Sequence, residues 1–253
     1  MLEQSLRDLL NEVGKVCGRV GRELEAEPYQ VAIVSLFDRC RSMFGAVRVL
    51  LDHDFAQEAV VLGRPLFTES LMLTELADLD EPRRVALVVG WWLAGLTSLE
   101  GIVREGIALG DDGDELAAIA ARRDELQRYV ADRGVKSRPF PQEKDLARTH
   151  GRAREYLDFR LTHHFVHGTA MAAEERLTKR ADGTYVVGGP GADVETWAPP
   201  AGLFAATSLL LATRAVCRIF GWQEPPELPG LLRKCDDVIV ELNRPGESTD
   251  SRS

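Results

Sequence analysis

Apolar residues recur every three to four positions along most of this chain, the spacing of helices that bury one face. The first stripe, in residues 2–24, consists of Leu6, Leu9, Leu10, Val13, Cys17, Val20 and Leu24. The same periodicity predicts further helices over residues 28–51, 54–79, 81–109, 114–133, 143–175, 199–220 and 228–242. Pro28 suits the first turn of the second helix, Asp54 is predicted to cap the third, and Gly151 is expected to interrupt the sixth.

The periodicity changes between residues 177 and 197. Asp182-Gly183 lies there between two short extended runs, and this dipeptide is typical of a tight β-hairpin turn. The sequence therefore predicts an all-α fold, a multi-helix bundle of seven to nine helices with a small β-hairpin insertion near 177–197. Residues 1–243 are expected to form a single helical domain, and the polar residues 244–253 a disordered C-terminal tail.

Composition narrows the class of protein. The chain is 45% hydrophobic and 28% charged, which is typical of globular proteins. With 31 Lys and Arg against 40 Asp and Glu, its net charge is −9, so duplex nucleic acid and anionic membranes are not expected partners. The first residues contain no apolar segment typical of a signal peptide, and we expect a cytoplasmic protein.

Two long uncharged stretches bear on membrane insertion. Residues 85–99 are too few to span a bilayer, and residues 196–213 contain Pro199 and Pro200, which are expected to break a helix. No membrane association is therefore predicted. By contrast, residues 111–133 are charged enough to be solvent-facing, and this helix can project from the bundle.

The most informative polar residues lie near the end of the sixth predicted helix. On a helical wheel one arc of about 100° holds five of them: Tyr156, Arg160, His163, His164 and His167. Apolar residues flank the arc on both sides, so the stripe is expected to point inward. Two interpretations stay open, a scaffold of internally paired polar groups and a cleft that binds a ligand.

A second inward polar group is predicted on the third helix. Arg64 shares a face with apolar residues, and a buried guanidinium needs an acidic partner. Glu58 and Glu69 lie on a different side of this helix. We expect ligand-binding roles for Arg64, Glu69, Tyr156 and His164.

Two enzymatic alternatives follow from the histidines. Arg160 and His167 fit the loose R-x(4–6)-H pattern of HEPN-type ribonucleases, where the resemblance implies metal-independent catalysis by this Arg and this His. RNA is a partner only under this alternative. The third hypothesis is a metal-dependent hydrolase, since His163 and His167 have the i,i+4 spacing of zinc ligands. No third ligand is evident, so no metal residue and no cofactor is predicted.

Two segments of the chain resemble an uncharacterised bacterial family, catalogued as domain of unknown function 5677. The resemblance covers about residues 28–220 and rests on Glu58-Ala59-x4-Arg64-Pro65-Leu66-Phe67, Tyr156 and His167-Gly168. It implies a mainly helical domain that groups Arg64 with Tyr156 and His167, and it implies no reaction. The family's acid follows the Arg by four positions, where this chain has Thr68 with Glu69 next.

The first functional hypothesis is therefore a binding or interaction module with an inward Arg/Tyr/His cluster. Its partner is not specified by the sequence. Homodimerisation stays open as one arrangement.

Overall fold

The structure of this protein, a computed structural model, describes residues 4–21, 27–109, 112–161, 177–179, 184–187 and 192–242. These residues are helical apart from two short strands and the loops between elements, which agrees with the all-α prediction. Its nine helices are α1 (Gln4–Gly18), α2 (Pro28–Asp52), α3 (Ala56–Asp78), α4 (Glu81–Leu109), α5 (Glu115–Asp132), α6 (Glu143–Thr149), α7 (Ala153–Leu161), α8 (Ala192–Phe220) and α9 (Leu228–Leu242).

Most helix ends lie where the sequence predicts them. Pro28 occupies the first turn of α2, and Gln30 returns its side chain to the backbone amide of Glu27, which satisfies an otherwise free donor. The third helix is an exception, because its N-cap is Phe55 rather than Asp54. Asp54 instead has φ +61° in the turn that follows α2, so the predicted cap was wrong.

Helices α3 and α8 pack together at the centre of the bundle, and α1, α2 and α9 surround them. Both central helices are apolar nearly all round, which is the pattern of a helix enclosed by others. The predicted stripe of α1 is buried at each described position, including Leu10, Val13 and Cys17. Burial of these apolar faces is the main stabilising contribution to the bundle.

Helix α4 belongs to the core only at its start. Residues Val85 to Val89 are buried, whereas none of the later residues of α4 is. Among the described elements α4 packs mainly against α5 and less extensively against α2. We call residues 93–109 of α4 together with α5 the arm. Projection of the charged fifth helix from the bundle stays a prediction.

The strands are β1 (Leu177–Lys179) and β2 (Tyr185–Val187), and they pair antiparallel with Thr178 opposite Val186. The predicted turn at Asp182-Gly183 lies outside the described residues, so the hairpin insertion stays a prediction. The tail at residues 244–253 also lies outside them.

Two helices, α4 and the 197–220 part of α8, are long and apolar enough to cross a bilayer by length and composition alone. Most of that part of α8 is buried, as in the central helix of a folded bundle. The helix continues through Pro199 and Pro200, so the expectation that these prolines would break it was wrong. Since α8 already begins at Ala192, both prolines fall within its first turns.

Candidate functional site

The predicted site residues fall into three groups in the structure. Arg64 and Glu69 belong to α3, and Tyr156 and Arg160 belong to α7. His164 and His167 lie outside the described residues, as does His163. The complete Arg/Tyr/His cluster therefore stays a prediction, and only its α3 and α7 members have a described position.

Arg64 and Tyr156 are both half-buried, in line with an inward placement. One turn after Arg64, the hydroxyl of Thr68 donates to Glu143 Oε1 at 2.5 Å and lies 3.2 Å from the Arg64 carbonyl. Thr68 thus links this side of α3 to α6. The carboxylate at this position therefore comes from α6.

Arg160 is exposed, which contradicts its predicted inward placement. The inward side of α7 carries Glu155 and Tyr156, and it is continuous with buried Arg152 just before the helix. Arg160 lies about 40° round α7 from Tyr156, on the side away from Arg152 and Glu155. Its catalytic role stays a prediction.

Glu69 is buried against α2 and does not face the side of α3 that holds Arg64. A five-residue step separates the two side chains by about 140° around the helix. Glu69 Oε1 lies 2.8 Å from Arg39 Nη2, and the Glu69 side chain is only 9% exposed. Its Oε2 is buried without a hydrogen-bond partner, and burial raises the pKa of this carboxyl to about 6.

Arg152 is the buried arginine of the bundle, and the sequence did not single it out. Its Nη1 donates to Ser70 Oγ at 3.0 Å, its Nη2 donates to Ser208 Oγ at 3.3 Å, and its Nε donates to Glu155 at 2.5 Å. The guanidinium carbon lies 4.4 Å from the ring centre of Phe67. Burial lowers the pKa of Arg152, while Glu155 opposes that shift. The available signal was a serine within an apolar stretch of each helix, Ser70 beside Leu71, Met72 and Leu73 in α3 and Ser208 beside Leu209 and Leu210 in α8.

A second polar network, also missed, lies at the end of α3. His150 is half-buried with a side chain only 8% exposed, and its Nε2 lies 3.0 Å from Glu75 Oε2 and its Nδ1 3.7 Å from Asp78 Oδ2. Arg218 Nη2 lies 2.9 Å from the other oxygen of Asp78. These contacts join the end of α3 to α8 and to the connection between α6 and α7. The network has the form of a structural tie, in which each charge has an opposite neighbour.

Metal-ligating residues do not gather within the described part of the chain, where no group of three His, Cys, Asp or Glu could hold an ion. All four cysteines are buried free thiols. Burial raises the pKa of Cys17 and of Cys235 to about 11, so these thiols are protonated and unreactive at neutral pH. The hydrolase hypothesis depends on His163 and His167, which are not described, and stays a prediction.

An open cleft of about 410 Å³ lies where the loop 134–141 crosses the start of α4. Its lining includes Leu79, Leu87 and several prolines together with Arg83, Lys136 and Arg138.

The most distinctive surface is on the arm. Helix α5 covers the side of α4 that carries Trp92, Leu96 and Val103, and Arg122 lies 5.1 Å from the ring centre of Trp92. Glu100 accepts hydrogen bonds from Arg123 at 2.6 Å and from Arg104 at 2.7 Å, which lower the pKa of Glu100 and tie the two helices together.

The adjacent side of α4 is apolar but uncovered. Leu99, Ile102 and Leu109 are 46%, 63% and 89% exposed there, and Gly95 and Gly106 complete the stripe. We call these five residues the seam. The seam was not predicted, although its spacing is visible in the sequence. The signal was an apolar sector on α4 too wide for one partner helix to cover.

Comparison with known proteins adds no name: no family model, curated protein or solved structure matches this chain. The resemblance to the bacterial family of unknown function accordingly stays a prediction.

Proposed function

We propose that this protein is a non-enzymatic interaction module that binds a protein partner through the seam of its arm. The observation that carries the proposal is the continuous uncovered apolar stripe of Leu99, Ile102 and Leu109. Single exposed apolar residues are normal on protein surfaces, but a contiguous apolar stripe is typical of an interaction site. Exposure of this apolar stripe to water is unfavourable, and a bound partner removes the stripe from water.

The rest of the structure supports this role by holding the arm firmly. The loop 134–141 crosses α4 at Gly90, and the backbone amide of Arg138 donates to the Ala86 carbonyl at 3.0 Å. At the far end of α5, Tyr129 and Arg133 both donate to Glu27 beside α2. The arm is therefore fixed to the body at two places. A fixed surface loses little conformational entropy on binding.

The proposal keeps the predicted inward cluster as a second, ligand-binding feature. Arg64, Glu69, Tyr156 and His164 stay its ligand-binding residues, and the cytoplasm stays the proposed location. Arg64 and Tyr156 are half-buried, which supports a role for them near the interior. Nothing in the arm depends on this cluster, so the two features can be tested separately.

The test compares the size of the full-length protein in native cell extract for two double variants. Leu99→Glu with Ile102→Glu places charges in the seam, whereas Ala94→Glu with Ala108→Glu places the same charges on the exposed polar side of α4. We expect wild type and the polar-side control to migrate in a complex and the seam variant to migrate as one chain. Migration of the wild-type protein as one chain would overturn the proposal.

A stability measurement accompanies this comparison. Since Leu99 and Ile102 contribute little buried area to the single chain, the seam variant should unfold at nearly the wild-type urea concentration. A large loss of stability would mean that these side chains are packed within the body and are not available to a partner.

A further inference from the structure

The seam has the spacing of a helix that packs against another helix. Its residues, Gly95, Leu99, Ile102, Gly106 and Leu109, are separated by four, three, four and three positions. This alternation keeps one stripe facing a partner helix along its whole length. Counting back by seven from Gly95 leads to Val88, which is fully buried in the body. The seam is thus the continuation of a heptad position that the bundle itself buries.

The order of large and small residues in the seam is complementary to its own reverse. When two copies of α4 run antiparallel with Ile102 facing Ile102, each Leu99 lies opposite Glu105 of the other copy and one residue from its Gly106. Each Leu109 then lies opposite Gly95 of the other copy. We propose that the partner of the seam is a second copy of this chain, in an antiparallel dimer with a two-fold axis at Ile102. The inference rests on the proposed interaction function and names its partner.

A parallel pairing does not fit the seam equally well. It would place Gly95 against Gly95 and Leu99 against Leu99, so that gaps alternate with crowded layers. Close packing disfavours both. The antiparallel arrangement instead brings a leucine opposite or next to each glycine position, as interdigitated helix packing requires.

Charges flanking the seam allow two copies to approach. Glu105 and Ser98 border its solvent side, and the antiparallel pairing places Glu105 opposite Leu99 and Ser98 opposite Gly106 of the second copy. No two like charges then face each other directly across the axis. The other acid of this stretch, Glu100, is already neutralised by Arg104 and Arg123. The net charge of −9 therefore does not oppose association at this surface.

The position of α5 fits a bundle of four helices. Leu96 and Val103, which α5 covers, directly follow seam residues Gly95 and Ile102 and so lie about 100° further round α4. Each helix of a four-helix bundle contacts two neighbouring helices, and these lie in directions about 90° apart around its axis. Two arms meeting at their seams would build such a bundle.

The size of the seam sets the expected affinity. From Gly95 to Leu109 it runs about 21 Å along a helix about 10 Å wide, well below the roughly 800 Å² per partner of a standard interface. We therefore expect a dissociation constant on the order of micromolar, with a clear dependence on protein concentration.

Sedimentation velocity of the full chain over a wide concentration range tests the dimer. Gly95→Leu and Gly101→Leu form a matched pair, because a Cβ at either glycine of α4 meets no atom within 4 Å in the single chain. Gly101 lies on the polar side, so Gly101→Leu should dimerise like wild type. Gly95→Leu fills the space for Leu109 of the second copy and should weaken dimerisation at least about tenfold. Equal behaviour of the two variants, or a monomeric wild type at every concentration, would overturn the proposal.

Cysteine cross-linking tests the orientation. The four native cysteines are buried, which keeps the background low. Ile102→Cys should form a disulfide-linked dimer by itself, whereas Leu99→Cys and Gly106→Cys should cross-link only when the two proteins are mixed. Efficient cross-linking of Leu99→Cys alone would show a parallel pairing and overturn the antiparallel dimer.

Failure of the dimer and failure of the interaction function can be told apart. If the purified wild-type protein is monomeric while seam-dependent complexes persist in extract, the dimer is overturned and the interaction function stands. Co-sedimentation with phosphatidylcholine vesicles that is lost in Ile102→Glu would assign the seam to lipid and overturn both.

Discussion

Gly90 marks the position where α4 leaves the body, and replacing it with alanine should destabilise the protein. A Cβ at this position would lie 1.8 Å from the carbonyl oxygen of Arg138 and 2.5 Å from the carbonyl carbon. An ordinary carbon–oxygen contact is about 3.3 Å, so the crossing loop would have to move by roughly 1.5 Å. Because the neighbour is backbone rather than a flexible side chain, no rotamer change relieves the contact.

The expected change in the free energy of unfolding combines two destabilising contributions and one stabilising contribution. Overpacking of this kind costs about 1–3 kcal/mol, and loss of the hydrogen bond from the Arg138 amide to the Ala86 carbonyl costs about 1 kcal/mol more. Replacing glycine by alanine inside a helix returns about 1 kcal/mol. We expect Gly90→Ala to lower the free energy of unfolding by about 2 kcal/mol.

Gly95→Ala is the matched control, since the same substitution in the same helix meets open space. It should raise the free energy of unfolding of the single chain by up to about 1 kcal/mol. Urea unfolding followed by circular dichroism, at a concentration low enough to keep the protein monomeric, measures both. If Gly90→Ala were as stable as Gly95→Ala, the contact between the loop and α4, and with it the anchoring of the arm, would be refuted.

Three other expectations concern the body of the protein. Arg152→Met should lower the free energy of unfolding by about 2–4 kcal/mol, because buried Ser208 loses its partner and Glu155 its counter-charge; a urea midpoint like that of wild type would contradict the structural tie. The pKa of Glu69 is 4.5 in the unfolded chain and about 6 in the folded protein. Protonation of Glu69 therefore stabilises the fold below pH 4.5, and this stabilisation is lost as the pH rises through 6. The loss amounts to about 1–2 kcal/mol, allowing for screening by solvent around Arg39. Glu69→Gln should abolish this pH dependence in urea titrations at about pH 4.5 and 7.5. An unchanged pH dependence in the variant would refute Glu69 as its cause. Under the ribonuclease alternative, Arg160→Ala and His167→Ala should each abolish cleavage of single-stranded RNA by a folded protein, and absence of cleavage by wild type would remove that alternative.

Helix positions could be predicted because they depend on local periodicity and on turn residues. The predicted range of α9 coincides with Leu228–Leu242, and Pro28 begins α2 as expected. The cap of α3 could not be obtained in this way. Its position depends on the turn after α2, where Asp54 takes a left-handed conformation and leaves Phe55 as the first boundary residue.

Polar positions were harder to predict because small rotations of a helix decide burial. The inward side of α7 ends at Tyr156, so Arg160 lies at the surface, and Arg152 is the buried guanidinium among the described residues. The partners of Arg152 come from α3 and α8, distant in sequence, so helix periodicity alone could not identify them. Glu69 was expected on a different side of α3 from Arg64, but its contact with Arg39 of α2 depends on packing that periodicity does not show.

The seam of α4 is the central claim, and sedimentation equilibrium of wild type against Ile102→Glu tests it most directly. Urea unfolding of both proteins is the accompanying control. We predict that the mass of wild type rises from one chain toward two with concentration, while the variant stays at one chain with nearly unchanged unfolding free energy. A wild-type mass that stays at one chain would contradict self-association, and a variant destabilised by several kcal/mol would contradict an uncovered seam.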